Sequence, residues 1–173
     1  MGEALQRAIE ALAIRDVLVR TSSAQVADGF DPTLEGVDGL TVQLKHLVTQ
    51  AVVLEVTAAE DRVSLFRVSI ELGARWVKSR GQETSAETSA DTSEGDAVDV
   101  KAAIEATMVA EYEVTRDLDK DALDAFALQN AIYHVWPYWR EFLASQCSLM
   151  NLPKLMLPVK QFASNRDDPP VTE

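Results

Sequence analysis

One stretch of this chain leaves little freedom. Residues 98–116, VDVKAAIEATMVAEYEVTR, place Val98, Val100, Ala102, Ile104, Ala106, Met108, Ala110, Tyr112 and Val114 at every second position. Asp99, Lys101, Glu105, Thr107, Glu111, Glu113 and Thr115 fall mostly between them. On a helix these residues would scatter around the circumference. On a strand they divide into one buried face and one wet face, as in an antiparallel sheet. A lone strand with an oily face is not stable in water, so the chain must supply further strands and a cover for that face.

Three more segments have strand character. Residues 62–78 alternate cleanly, with Phe66, Val68, Ile70, Leu72, Ala74 and Trp76 on one side and Arg67, Ser69, Glu71 and Arg75 on the other. In LVTQAVVLEVTA, Val48, Val52, Leu54 and Val56 are expected to share a face. Residues 13–27 are rich in β-branched side chains but alternate poorly, which suits a strand with different neighbours on its two faces. AAEDR is a hairpin-length gap between the second and third strands. Before the first strand, Leu5, Ala8, Ile9 and Leu12 recur at helical spacing and predict a short amphipathic helix.

After the strands, Asp119 or Asp121 can cap a helix running to about His134. Pro137 then either kinks that helix or begins a second one that continues to Leu149. The order of short helix, four strands and then helices predicts an α+β fold, in which C-terminal helices pack on one face of a four-stranded antiparallel sheet. Residues 1–162 read as one domain. Residues 79–97 contain a degenerate ETSA/ADTS repeat with almost no apolar content, a flexible polar loop by composition; 163–173 read as a disordered tail.

Composition narrows function. The net charge of −12 opposes nucleic-acid binding and favours basic partners. A single cysteine, Cys147, rules out an internal disulfide. No stretch has the length of a membrane span, and the acidic N-terminus does not resemble a signal peptide, so a cytoplasmic location is expected. No phosphate-binding glycine loop and no nucleophile elbow is present. His46, His134 and Cys147 match no zinc spacing. The chain is therefore expected to be no enzyme, without metal or cofactor. Asp121 and Asp124 are the carboxylates on which a thioesterase-like alternative would rest, and an adaptor without a groove is the other alternative.

Two features remain. Residues 28–46 hold three of the seven glycines and the scattered apolar residues Phe30, Leu34, Val37, Leu40 and Leu44, and are expected to form a long functional loop. VWPYWREF, 135–142, gathers four large aromatic rings around Pro137.

That second stretch resembles the SecB family of chaperones. The family's Phe-Pro-Tyr-x-Arg-Glu signature stands here as Trp136-Pro137-Tyr138-Trp139-Arg140-Glu141. Its Phe-Pro-x-Leu-x-Leu-x-Pro-Val run is matched by Leu152-Pro153-Lys154-Leu155-Met156-Leu157-Pro158-Val159 with one residue missing, and Phe162 follows. The resemblance implies a SecB-like fold, a homotetramer built as a dimer of dimers, and nucleotide-independent holding of unfolded polypeptides in apolar grooves. The motor SecA in export, or an antitoxin, is the implied partner. Client contact is then expected from Phe30, Leu34, Leu40, Leu44, Trp76, Trp136 and Trp139. Tyr138 and Phe142 are expected to turn inward and, with Val17 and Val19, to make the oligomer interface; Trp136 and Trp139 fall to a subunit contact or groove wall. Glu105, Glu111 and Glu113, on the wet sheet face, are expected to dock a basic partner. The chain departs from the export type in its extra N-terminal helix, the 79–97 insert and the short sequence after Phe162.

Overall fold

The computed structural model describes residues 2–58, 61–78 and 98–158; the expectations for 79–97 and 163–173 lie outside them. Helix α1 (Glu3–Ala11) leads directly into strand β1 (Leu12–Val26), followed by β2 (Leu40–Ala58), β3 (Asp61–Lys78), β4 (Asp99–Val114), α2 (Lys120–Gln129) and α3 (Ala131–Leu149). The strands form one antiparallel sheet in the order β1-β4-β3-β2. The two cleanly alternating strands are thus the central pair, as the largest gain from burial requires.

Register explains which residues share a face. Phe66, Val68, Ile70, Leu72, Ala74 and Trp76 of β3 lie opposite Tyr112, Ala110, Met108, Ala106, Ile104 and Ala102 of β4, and all twelve are buried. The helices cover this face: α3 packs across β4, β3 and β1, α2 reaches β2, and α1 packs on α2. Tyr112, Phe66 and Phe126 form a cluster beneath α2, with Tyr112 edge-on to Phe126 at 4.9 Å between centroids.

Bulges interrupt the alternation where it failed to read cleanly. In β1 the register shifts between Ile14 and Asp16 and again between Val19 and Thr21. In β2 it shifts between Val48 and Gln50. Val48 therefore faces the helices with Ile70, while Val52 and Leu54 lie on the opposite face beside Arg67 and Leu65. A further shift between Trp76 and Val77 moves Val100 to the opposite face from Ala102. One extra residue inverts every side chain beyond it, so these strands could not keep the single face that period two implies.

The loop after β1 is shorter than expected. β2 begins at Leu40, so Leu40, Leu44 and His46 belong to the sheet and only residues 27–39 cross over. Gly29, Gly36 and Gly39 take positive φ there, which confines the turns to this span.

The helix break also differs. Asp119 accepts the Ala122 N–H at 2.8 Å as the α2 N-cap. α2 ends at Asn130, and α3 then continues through Pro137. Pro137 removes one backbone donor, and the packing of the surrounding stripe carries the helix across the gap. At its C-terminus α3 closes with a Schellman turn. Asn151 takes φ 54°, Leu152 N–H donates to Cys147 O at 2.9 Å, and Asn151 N–H points at Ser148 O at 3.4 Å.

Candidate functional site

The buried stripe of α3 is Val135, Trp136, Trp139, Leu143 and Cys147. Trp139 is 1% exposed, whereas Tyr138 is 51% exposed and Phe142 half-buried. The expected orientation is reversed for Tyr138, Trp136 and Trp139, while Phe142 packs against the core cluster with its ring stacked on Trp139 at 6.0 Å between centroids. Trp136 and Trp139 join Val135, Leu143 and Cys147 in a wider apolar stripe at i, i+3, i+4 spacing than any stripe containing Tyr138, and burial selects the wider one. Tyr138 and Leu149 are left on the outside of the helix layer, with Leu128 exposed on α2 and Met156 beyond α3.

Burial relocates other candidates. Trp76 is in the core, and its indole N–H has no acceptor among the described residues. Phe30 is buried as the anchor of the crossover: its N–H bonds Ala27 O, and Lys101 Nζ sits 5.7 Å over its ring. Leu34, at 83% exposed, is the accessible apolar residue of that loop. Leu40 is half-buried in β2. Phe30, Trp76, Trp136 and Trp139 thus hold the fold together in this chain and are closed to a client by its own packing.

The accessible apolar area lies mainly on the two edge strands. The helix layer is narrower than the sheet. On the helix-facing side, β1 presents Ile14, Val17 and Val19, registered opposite the buried Tyr112, Ala110 and Met108. On the other edge, β2 presents Leu44, Val48 and Val53, opposite Ala74, Ile70 and Phe66. Ile14, Val19, Leu44 and Val53 are exposed, and Val17 and Val48 half-buried. Two apolar shelves therefore flank the helices, each beside a strand whose outer edge is unpaired among the described residues. Long edge strands carrying apolar side chains are a liability unless something pairs with them or covers them.

The opposite sheet face is less wet than expected. A trough of about 770 Å³ there is lined by Leu18, Val52, Leu54 and Val109, together with Arg20, Thr49, Gln50, Ser69 and Thr107, around an ion pair. Arg67 Nε and Nη2 both lie 2.6 Å from Glu111 Oε2. Glu111 is buried in that pair, so it is not the docking carboxylate its spacing suggested; Glu105 and Glu113 are exposed. Farther along, Lys45 Nζ bonds Glu71 Oε2 at 2.7 Å. That bond, Glu71's charge and the nearby Glu105 hold the Lys45 ammonium above its ordinary range.

No acid–base chemistry is evident among the described titratable groups. His134 Nδ1 lies 3.0 Å from Tyr112 OH. Burial lowers the imidazole pKa and raises that of the phenol. The Tyr112 hydroxyl and the His134 ring share this hydrogen bond, which ties α3 to β4. Burial also raises the Cys147 thiol above its usual range, which suits a core residue rather than a nucleophile. Among the described residues no cluster of three or more metal-ligating side chains occurs, and no helix is long and apolar enough to cross a membrane.

No protein-family model and no curated protein matches the sequence. Solved structures do match. The SecB-like chaperone Rv1957 of Mycobacterium tuberculosis, solved with a ChAD peptide from the HigA1 antitoxin, aligns with a TM-score of 0.65 at 20% identity. The alignment covers 93% of this chain and 99% of that one. The fold is SecB-like. A protein of unknown function from Streptococcus agalactiae also aligns, with a TM-score of 0.36 and 8% identity, too distant to carry an argument.

Proposed function

We propose that this chain is a nucleotide-independent holdase that binds unfolded polypeptide segments on the apolar margins of its sheet. One observation carries the reading: in a SecB-like fold, Ile14, Val19, Leu44 and Val53 stand open to solvent on the helix-facing side of both edge strands. Fully burying such a side chain contributes about 1.5–3 kcal/mol. Each is already half covered, so about half that remains to be gained. These four contacts then supply about 3–6 kcal/mol before binding costs, less than the roughly −8 kcal/mol of micromolar affinity. A client held so weakly leaves without ATP, and the net charge of −12 keeps the exposed margins soluble.

The Mycobacterium tuberculosis neighbour was solved with an antitoxin peptide, and its likeness in fold supports an antitoxin or preprotein segment as client here. Exposed Glu105 and Glu113 suit a basic partner, SecA included. Tyr138, exposed on the outer side of α3, suits assembly into a homotetramer, and a cytoplasmic location goes with this reading. The test is suppression of aggregation of a chemically unfolded model client. Wild-type protein is expected to suppress it at near-stoichiometric ratio. The triple variant Val19→Ser, Leu44→Ser, Val53→Ser is expected to lose suppression with little change in its unfolding midpoint, because all three sites are exposed. No suppression by the wild type would reject the reading.

A further inference from the structure

The chain already carries a bound extended segment. After the Schellman turn, Leu152–Pro158 doubles back along α3 without forming helix or strand. Leu152 and Leu157 are buried in the core cluster with Trp136, Trp139 and Cys147, and Leu155 packs against that cluster, whereas Pro153, Lys154 and exposed Met156 face away. Its backbone is held at both ends: Leu152 N–H bonds Cys147 O, and Trp136 Nε1 donates to Pro158 O at 2.7 Å. Between them Leu157 N–H bonds Leu155 O at 3.2 Å. Prolines at 153 and 158 favour an extended backbone and remove two donors from any ladder.

This is peptide recognition in miniature. Apolar pockets take side chains at intervals, a tryptophan N–H takes one carbonyl, and no sheet partner is needed. The bed depends little on which residues fill it, since backbone groups and generic apolar volume do the holding. A tethered ligand of this kind competes with any free peptide of the same character.

We propose that the bed beneath Leu152–Pro158 is a peptide subsite for extended, leucine-bearing segments, and that Leu152–Pro158 is its built-in competitor, which must lift before a client enters. The client's identity as an unfolded polypeptide rests on the holdase reading; the subsite itself does not. While the tether is seated the bed is closed, and the apparent affinity for a free peptide falls by the fraction of molecules in which it is open.

The test uses the full chain and a fluorescein-labelled peptide of residues 151–158, NLPKLMLP, followed by fluorescence polarisation. A tether seated in about nine molecules of ten predicts that Leu157→Ser, which weakens the tether and leaves the bed intact, binds the peptide about tenfold tighter than wild type. A peptide with all three leucines replaced by serine should not bind. A second readout needs no variant: hydrogen exchange of wild-type protein with and without saturating unfolded client. Displacement predicts faster exchange at the Leu152 and Leu157 amides when client is bound. Equal peptide affinity for wild type and Leu157→Ser, or unchanged or slower exchange at those amides with client bound, would overturn the proposal while leaving the edge-strand holdase standing. Tight peptide binding by Leu157→Ser, with no client held by either protein, would keep the subsite and end the holdase reading.

Discussion

Removing one partner of the Arg67–Glu111 pair should cost more than a surface ion pair normally does. Both guanidinium contacts converge on Glu111 Oε2 at 2.6 Å, and the side chains are 39% and 10% exposed, respectively. An exposed pair contributes about 0.2–1 kcal/mol, whereas stranding a fully buried charge costs about 3–5 kcal/mol. Glu111 is near the buried limit and Arg67 is not. Arg67→Met leaves a shielded carboxylate without its counter-charge and is expected to cost about 2 kcal/mol, between these bounds. Glu111→Leu leaves an arginine that can still reach water and should cost about 1 kcal/mol or less. The double variant places Met and Leu beside Leu18, Val52, Leu54 and Val109 in the trough and should be nearly as stable as wild type. A double-mutant cycle by urea unfolding then gives a coupling of about 2–3 kcal/mol with unchanged m-values. A coupling below about 0.3 kcal/mol would refute the inference that Glu111 is a buried structural group. It would return Glu111 to the exposed, docking-competent set.

Three further outcomes follow from the packing. Trp139→Ala should destabilise by about 3–5 kcal/mol, whereas Tyr138→Ala should stay within about 0.5 kcal/mol; thermal or urea unfolding of the isolated variants separates the two. Asp119→Ala removes the α2 cap bond to Ala122 and should cost about 1 kcal/mol by the same assay. Burial lowers the His134 pKa in the folded chain, so below the unfolded value near 6.5 the unfolded chain binds more protons. The stability from His134 is full above that pH and declines as pH falls through the lowered folded-state value; in His134→Gln, which keeps an acceptor for Tyr112, stability against pH should lack this decline.

The central strands were legible because each has one face in the core and one outside, and no bulge interrupts most of their length. Phe66 to Trp76 and Ala102 to Tyr112 could be assigned by counting alone. The edge strands were not, because bulges near Val48, Ile14 and Val19 invert the pattern, and a bulge leaves no mark in a sequence already rich in apolar residues on both faces. The start of β2 was hidden for a related reason: residues 40–46 carry the composition of a strand, but follow three glycines that belong to the crossover. On α3 two apolar stripes compete. Counting aromatic rings did not decide between them; the neighbouring sheet did. Glu111 reads as one more wet-face carboxylate until Arg67, 44 residues away in sequence, is brought beside it. The signal that could have found it is the position of Arg67 on the matching face of β3. The shelves on the sheet margins depend on the helix layer being narrower than the sheet, a tertiary property no local pattern encodes.

The most direct measurement is methyl NMR of the wild-type protein, labelled at Ile, Leu and Val, titrated with an unfolded client polypeptide. The account predicts that shifts concentrate at Ile14, Val19, Leu44 and Val53 along the two sheet margins, while the methyls of Val68, Ile70 and Leu143 in the core stay in place. Client addition that leaves the four marginal methyls unmoved would contradict it.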